Sequence, residues 1–403
     1  MIMNNTNKQI DELISRSIDT IYPTSDALKK KLQSGAKLKV YMGIDPTATD
    51  IHIGHSTNYL ILERLHLLGH KITVLVGDFT AMIGDPSDKN SMRVKLTEEQ
   101  VLENVKTFKS QIAKILDFDS TENPIEFRFN SEWLRDLTFS DSVELASNFT
   151  VQQMIERDAF KKRLADEKPL YVHEFFYPLM QGYDSVMMDV DLEIGGTDQT
   201  FNMLAGRTLQ KKINNREKFV ITTTLLVNPV TNEKLMSKSL GTGVNLNDDP
   251  DNMFGKVMAL PDEGVIQCFI DCTRLKLLEI EEIEGRLQKG ENPKDIKMLL
   301  AHTLVQMYHS AELAEKAQDA WINQFSKGNL PEDIAELAVD KTIDSWIKLV
   351  SLADGTVSNS GAKRLLDQGA VRLDDEKIAV NTNFDIKNGQ ILKIGKRKLY
   401  KIA

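Results

Sequence analysis

The chain has 403 residues, enough for two to three domains at about 150 residues each. With 41% hydrophobic and 27% charged residues it is too apolar for a disordered chain, and a formal charge of −9 excludes a protein that coats nucleic acid through overall positive charge. The charge is uneven, however: residues 340–403 carry 12 Lys/Arg against 8 Asp/Glu, a net of +4, which leaves −13 on residues 1–339.

Met1 to Arg16 is polar, with neither the apolar core nor the small-residue cleavage site of an export signal. Nowhere do about 18 consecutive apolar residues occur, so no membrane span is expected and a reducing cytoplasmic location is the default. Residues 6–32 read as helices, and Lys29-Lys30-Lys31 among them as a solvated helix face. From Lys37 strand and helix alternate: Lys39–Gly43 is a short β run, His52–Leu68 a helix stopped by Gly69, and Lys71–Gly77 a second strand. Two strands joined by a helix within about 40 residues form a right-handed parallel βαβ unit.

Between these strands lie Asp45-Pro46-Thr47 and then His52-Ile53-Gly54-His55, which opens the helix. A loop that leaves the carboxyl end of a first parallel strand and enters a helix N-terminus is where nucleotide phosphates bind. Two imidazoles three residues apart share one helix face and can donate to phosphate oxygens. Gly54 between them leaves room for a base or ribose. A metal site would want a third ligand, and two surface histidines at a helix start remain the plain alternative.

Residues 120–180 are mostly helical, with basic and aromatic residues, and strand character returns at Met187–Ile194 and Phe219–Leu226. The pattern predicts a doubly wound parallel sheet with a helical insertion between its halves. Lys161-Lys162-Arg163 in the insertion reads as a solvated face, with RNA contact the lesser alternative. Lys234-Leu235-Met236-Ser237-Lys238-Ser239 then forms a Ser/Lys loop after the last strand, a cationic lid suited to a leaving pyrophosphate. From Asp249 to Ser326 the chain reads as all helix. One helix starts clearly at Asn292 as N-cap and Pro293 at its first position. Cys268 and Cys272, the only cysteines, fall four apart on one helix face and are too few for structural zinc. Gly328 to Asp340 serves as a linker, and the remainder forms a small α+β module with helices at 342–353 and 359–368 and short strands after them.

The His-Ile-Gly-His element and the Ser/Lys loop, in this order on an α/β chain, resemble the two signatures of class I aminoacyl-tRNA synthetases. The fuller text resembles the bacterial tyrosyl-tRNA synthetase family over essentially the whole chain. It is carried by Tyr41-Met42-Gly43-Ile44-Asp45-Pro46-Thr47, Ile83-Gly84-Asp85-Pro86-Ser87, Tyr177-Pro178-Leu179-Met180-Gln181-Gly182-Tyr183-Asp184 and Ile194-Gly195-Gly196-Thr197-Asp198-Gln199. The resemblance implies a Rossmann-like catalytic domain over 1–247, with its insertion at about 120–180 and its lid at 233–241. A helical domain over 248–328, a linker at 329–340 and an RNA-binding domain over 341–403 would follow.

What the family does implies a role for each matching residue. Tyr41 and Asp184 match the pair that meets the phenolic hydroxyl of tyrosine, and Asp85, Tyr177, Gln181 and Gln199 match residues around its ammonium and body. Gly43, Asp45, Gly54, Gly196, Asp198 and Met236 match the ATP site, with Asp198 on the ribose and the glycines where backbone approaches the ligand. Thr47, His52 and His55 match groups around the phosphates or the ribose and ring, and Lys238, Lys89 and Arg93 match basic groups that reach pyrophosphate. The lid departs from the family at Leu235, where lysine is usual. Lys234 sits one residue early, so the register shifts or Lys238 acts alone. Lys363, Arg364, Arg372, Lys396, Arg397 and Lys398 are the tRNA-binding candidates of the tail. The substrates implied are L-tyrosine, ATP accompanied by Mg2+ and tRNA-Tyr, acted on by a homodimer with no tightly bound protein metal. The rivals are the tryptophanyl enzyme of the same fold, a retired synthetase that only binds RNA, and a small-molecule nucleotidyltransferase.

Overall fold

Six strands, β1 (Ile18–Tyr22), β2 (Lys39–Ile44), β3 (Lys71–Val76), β4 (Glu126–Phe129), β5 (Leu192–Gly196) and β6 (Phe219–Thr223), form one sheet in the order β1-β6-β5-β2-β3-β4. The computed structural model describes residues 2–85, 96–236, 243–326, 334–339, 343–355, 357–374, 376–395 and 398–403. They divide into two compact units, 1–315 and 316–403.

In the first unit β2 pairs in parallel with both β3 and β5, β3 with β4, and β5 with β6. From β2 the chain winds one way to β3 and β4, then returns to build β5 and β6 on the other side. The reversal falls between β2 and β5, where a doubly wound sheet opens its crevice. The near-continuous burial of β3, Lys71 excepted, follows from cover on both faces.

Two strands correct the sequence reading. β1 forms where only helix was expected, because Ile18, Thr20 and Ile21 complete the sheet edge antiparallel to β6, and the Thr20 amide donates to Thr222 Oγ1 at 3.0 Å. The sheet is therefore mixed and not wholly parallel. β4 lies in the stretch read as helical; its alternation Phe127, Phe129 is too short to outweigh the helical text around it.

Helices α1 (Ile53–Leu67), α2 (Phe139–Ala146), α3 (Phe176–Met188), α4 (Thr200–Ile213), α5 (Pro250–Met258), α6 (Val265–Cys272) and α7 (Pro293–Tyr308) cover the sheet or follow it. The insertion between β4 and β5 is built of short helices, started by capping boxes such as Thr138 with Asp141 and Thr150 with Gln153. Helix α7 starts as expected, with Asn292 Oδ1 accepting from the Lys294 amide. Cys268 and Cys272 are buried in α6.

Arg16 and Arg274 are among the residues that fasten the helical segment to the α/β part. Arg16 is buried, and its guanidinium donates to the carbonyls of Ile270, Thr273 and Leu275 at 2.7 to 2.9 Å. A cation there satisfies the orphan carbonyls at the end of α6 and complements its dipole. Arg274 grips Glu63 of α1 with both nitrogens, at 2.8 and 3.0 Å.

In the second unit, α8 (Trp346–Ala353) and α9 (Asn359–Asp367) pack on a sheet in the order β7-β11-β10-β8-β9. Its strands are β7 (Ala335–Leu337), β8 (Val371–Leu373), β9 (Glu376–Lys377), β10 (Ile391–Ile394) and β11 (Lys398–Ile402). Trp346, Leu349, Leu366, Val371, Leu392 and Ile402 are among its own core. β7 pairs in parallel with β11, so part of the stretch expected to be a linker belongs to this sheet.

Candidate active site

The crevice between β2 and β5 gathers residues from distant parts of the chain. Gly43, in the middle of the sheet, is exposed, and a Cβ placed on it meets nothing within 4 Å. The centre of the sheet is thus open at this glycine.

One side of the crevice is a buried polar pocket. Tyr41 on β2 has its hydroxyl 2.9 Å from Ser185 Oγ on α3. Beside it, Asp184 is only 3% exposed. Its Oδ1 accepts from Trp133 Nε1 at 2.7 Å and its Oδ2 from Asn130 Nδ2 at 3.4 Å. Asn130 is itself fixed, donating to Thr80 Oγ1 and accepting from the Phe79 amide, both at 3.0 Å. Burial pushes the Asp184 carboxyl well above the usual range, and the Trp133 and Asn130 donors pull it back. Burial likewise keeps Tyr41 protonated, with the charges of Glu193 and Asp184 adding to the effect.

A second carboxylate group lies along the floor. Tyr177 donates to Asp45 Oδ2 at 2.9 Å and Thr80 to Asp45 Oδ1 at 2.7 Å. Burial raises Asp45 to about 7 against these two hydrogen bonds, with the charges of Asp85 and Asp78 adding to the rise. Asp45, expected at the ATP site, is therefore tied to Tyr177. Asp85 accepts from Gln199 Nε2 at 2.6 Å and from Arg157 at 2.9 Å, so both its oxygens are oriented. Gln181 donates to Glu193 Oε1 at 3.0 Å.

The other side is the histidine element. His52 is the N-cap of α1, and its ring stacks on that of His55 with centroids 3.7 Å apart. A Cβ on Gly54 would sit 3.0 Å from His52 Nδ1 and 3.5 Å from Met236 Cγ, so glycine is needed for the stack. The same contact joins the histidines to the start of the lid. A few residues past the lid, Asn245 bridges His52, and the Ile53 amide donates to the Val244 carbonyl at 2.9 Å. The start of the second motif, about 180 residues on in sequence, thus lies beside the first.

Leu235, where the family has lysine, is buried against Gly264, while Lys234 is exposed and bridges Val227. Thr47 is exposed on the loop after β2, and Gly196 stands before Asp198, where a Cβ would lie 2.6 Å from Asp198 Oδ1. Lys89, Arg93, Lys238, Lys396 and Arg397 lie outside the described residues. In the second unit Lys363 and Arg364 are exposed on α9 and Arg372 is half-buried on β8. Lys398, by contrast, is paired with Asp354 at 2.5 Å within the module. Arg163, read as solvated, in fact pairs with Glu174 through both nitrogens at 2.6 and 3.0 Å. Lys29 is paired with Asp11. Among the described residues no three His, Cys, Asp or Glu side chains converge on a metal position, and no helix is long and apolar enough to cross a membrane.

Asn130, Trp133, Ser185, Glu193, Arg157 and Lys218 were not anticipated. Each acts on a site residue from behind, and nothing in the spacing of a single Asn, Trp or Lys marks such a role.

A doubly wound sheet with a histidine helix start at its switch point, and Met236 of the Ser/Lys motif beside it, is the architecture of a nucleotide-binding α/β protein. Residues 33–326 match the family described as "tRNA synthetases class I (W and Y)", and the chain belongs to that family. Its relatives include the tyrosine–tRNA ligase of Carboxydothermus hydrogenoformans, 43% identical over 97% of both chains, and that of Haemophilus influenzae, 41% identical over 99% of this chain and 98% of the relative. Among solved structures, a C-terminally truncated mitochondrial tyrosyl-tRNA synthetase of Aspergillus nidulans shares the fold with a TM-score of 0.67 at 19% identity, over 80% of this chain and 99% of that one. The tyrosyl-tRNA synthetase of Archaeoglobus fulgidus, solved with L-tyrosine, gives 0.60 at 21% identity over 78% and 99%.

Proposed function

We infer that this chain is a tyrosine–tRNA ligase: it activates L-tyrosine with ATP to tyrosyl-adenylate and pyrophosphate, then transfers tyrosine to the 3'-terminal adenosine of tRNA-Tyr. The observation that carries the choice of amino acid is Asp184, held by Trp133 and Asn130 beside Tyr41. A buried carboxylate and a hydroxyl answer the donor and acceptor of a phenol, whereas an indole or a phenyl ring leaves buried groups unpaired.

In activation the substrate carboxylate attacks the α-phosphorus of ATP, forming the mixed anhydride as the bond to pyrophosphate breaks. That carboxylate is ionised at neutral pH, so no side-chain base or nucleophile is required. Asp85, oriented by Arg157 and Gln199, receives the ammonium together with Tyr177 and Gln181. His52 and His55 at the start of α1, with Thr47, stabilise charge on the phosphates, and Asp198 holds the ribose. Lys234 and Lys238 of the lid and Lys89 and Arg93 serve the departing pyrophosphate. Mg2+ would enter as part of the nucleotide substrate and would supply charge neutralisation for the phosphates. In the second step a ribose hydroxyl of the terminal adenosine attacks the carbonyl of the anhydride and AMP leaves.

Assembly is as a homodimer through the insertion, where Phe139 is 84% and Val172 76% exposed, with Val143 and Val151 also out. Apolar surface of that kind on an insertion calls for a partner, here a second copy. The ligase works in the cytoplasm, where its substrates are.

The pH profile tests the floor of the site. Asp45 loses its proton as pH rises through about 7, and the substrate ammonium favours the ionised form. kcat/KM for tyrosine should therefore rise between about pH 6 and about pH 8, and Asp45→Asn should flatten the rise. A slope that survives the substitution contradicts the assignment.

The second unit, with Lys363, Arg364, Arg372, Lys396 and Arg397, is the tRNA contact. Its phosphate contacts give affinity and a salt slope. A chain ending at residue 326, ahead of β7, should keep tyrosine-dependent pyrophosphate exchange and lose charging of tRNA-Tyr with labelled tyrosine. Charging at the full-length rate removes the second unit from tRNA binding.

A further inference from the structure

Behind Tyr41 lies an ion pair that activation itself does not use. Lys218, just before β6, is fully buried, and Glu193 on β5 is 1% exposed. Lys218 Nζ donates to Ser185 Oγ at 2.7 Å, to the Met203 carbonyl at 3.1 Å and to Glu193 Oε2. An ammonium has three hydrogens and no acceptor, so these contacts occupy it fully. Each end of the pair leads into the tyrosine pocket. Ser185 Oγ is 2.9 Å from the Tyr41 hydroxyl, and Glu193 Oε1 accepts from Gln181 at 3.0 Å. The ammonium also lies 5.8 Å from the centre of the Tyr41 ring.

The backbone is shaped around this cation. Gly182 of α3 and Gly206 of α4 let the two helices meet closely, and a Cβ on Gly206 would stand 3.3 Å from Gly182 Cα. The same Cβ would lie 2.5 Å from Lys218 Nζ and 2.7 Å from Ser185 Oγ. The slot between the helices thus exists for the ammonium and the serine together. Stability is a poor reason for such a pair, because well-packed apolar replacements are often neutral or stabilising.

We propose that Lys218 is a positioning residue for tyrosine recognition: through Ser185 it fixes the hydroxyl of Tyr41, and through Glu193 it fixes the amide of Gln181. The inference rests on the reading of Tyr41, Asp184 and Gln181 as the tyrosine pocket, and the test separates the two. Tyrosine- and phenylalanine-dependent pyrophosphate exchange is measured on the full chain, with thermal melts alongside. The variants are Lys218→Met/Glu193→Gln, which strands no charge and keeps the oxygen facing Gln181, Gly206→Ala, which keeps both charges but intrudes on the slot, and Asp184→Asn. In the double variant the ratio of kcat/KM for tyrosine over phenylalanine should fall about tenfold or more, mainly through KM for tyrosine, with KM for ATP within about twofold. Gly206→Ala should shift the same ratio in the same direction. General loosening would move both amino acids and ATP together. A ratio unchanged in both slot variants, while Asp184→Asn lowers it, overturns the role of Lys218 alone. A ratio unchanged in Asp184→Asn as well overturns the pocket itself.

Discussion

Asp184→Asn should lower kcat/KM for tyrosine activation by roughly 10- to 10²-fold while leaving the weak activity with phenylalanine nearly unchanged. Both oxygens of Asp184 already accept, from Trp133 Nε1 and from Asn130 Nδ2. Asparagine must point its amide at one of these donors. The shorter Trp133 contact claims the remaining oxygen, so the amide faces Asn130, and the substrate hydroxyl loses its charged acceptor. Phenylalanine brings no hydroxyl and so loses nothing. Because the tyrosine hydroxyl stays bound through both the ground and transition states, the loss should fall mostly on KM. Equal losses for the two amino acids would mean that Asp184 shapes the pocket without reading the phenol.

His52→Ala should cost roughly 10²–10³ in kcat for activation with KM for tyrosine little changed. The ring of His52 stands at the N-terminus of α1, where anionic phosphate is favoured, and is held there by its stack on His55 and by Asn245. A donor fixed in place contributes most as charge builds on the transferred phosphate, and little to the binding of tyrosine across the crevice. Alanine at this position also removes the stacking partner of His55, so the single substitution disturbs both imidazoles. A loss confined to KM for tyrosine would place His52 outside the phosphate site.

The sequence reading reached the sheet, its insertion, the helical segment and the α+β module because each has a strong period or a clear punctuation mark. Asn292-Pro293 is one example. It missed β1 and β4, which are edge strands of four or five residues whose identity comes from pairing and not from their own text. The candidate site residues could be proposed from sequence because they fall in contiguous blocks that match the family. The groups that hold them could not. Asn130, Trp133, Glu193 and Lys218 reach the pocket from β4's end, β5 and β6, and only tertiary structure says that they meet. Lys398 shows the converse, since a basic residue in a basic tail, though still exposed, already has Asp354 as its partner. The −9 net charge acquires a structural sense: the net +4 of residues 340–403 lies largely in a unit with its own core.

The most direct measurement is exchange of labelled pyrophosphate into ATP with tyrosine, tryptophan and phenylalanine supplied in parallel. Rapid exchange with tyrosine, and little with the other two, is the expected result. Exchange driven by tryptophan, or none with tyrosine, would contradict the assignment of the Asp184 pocket to a phenol.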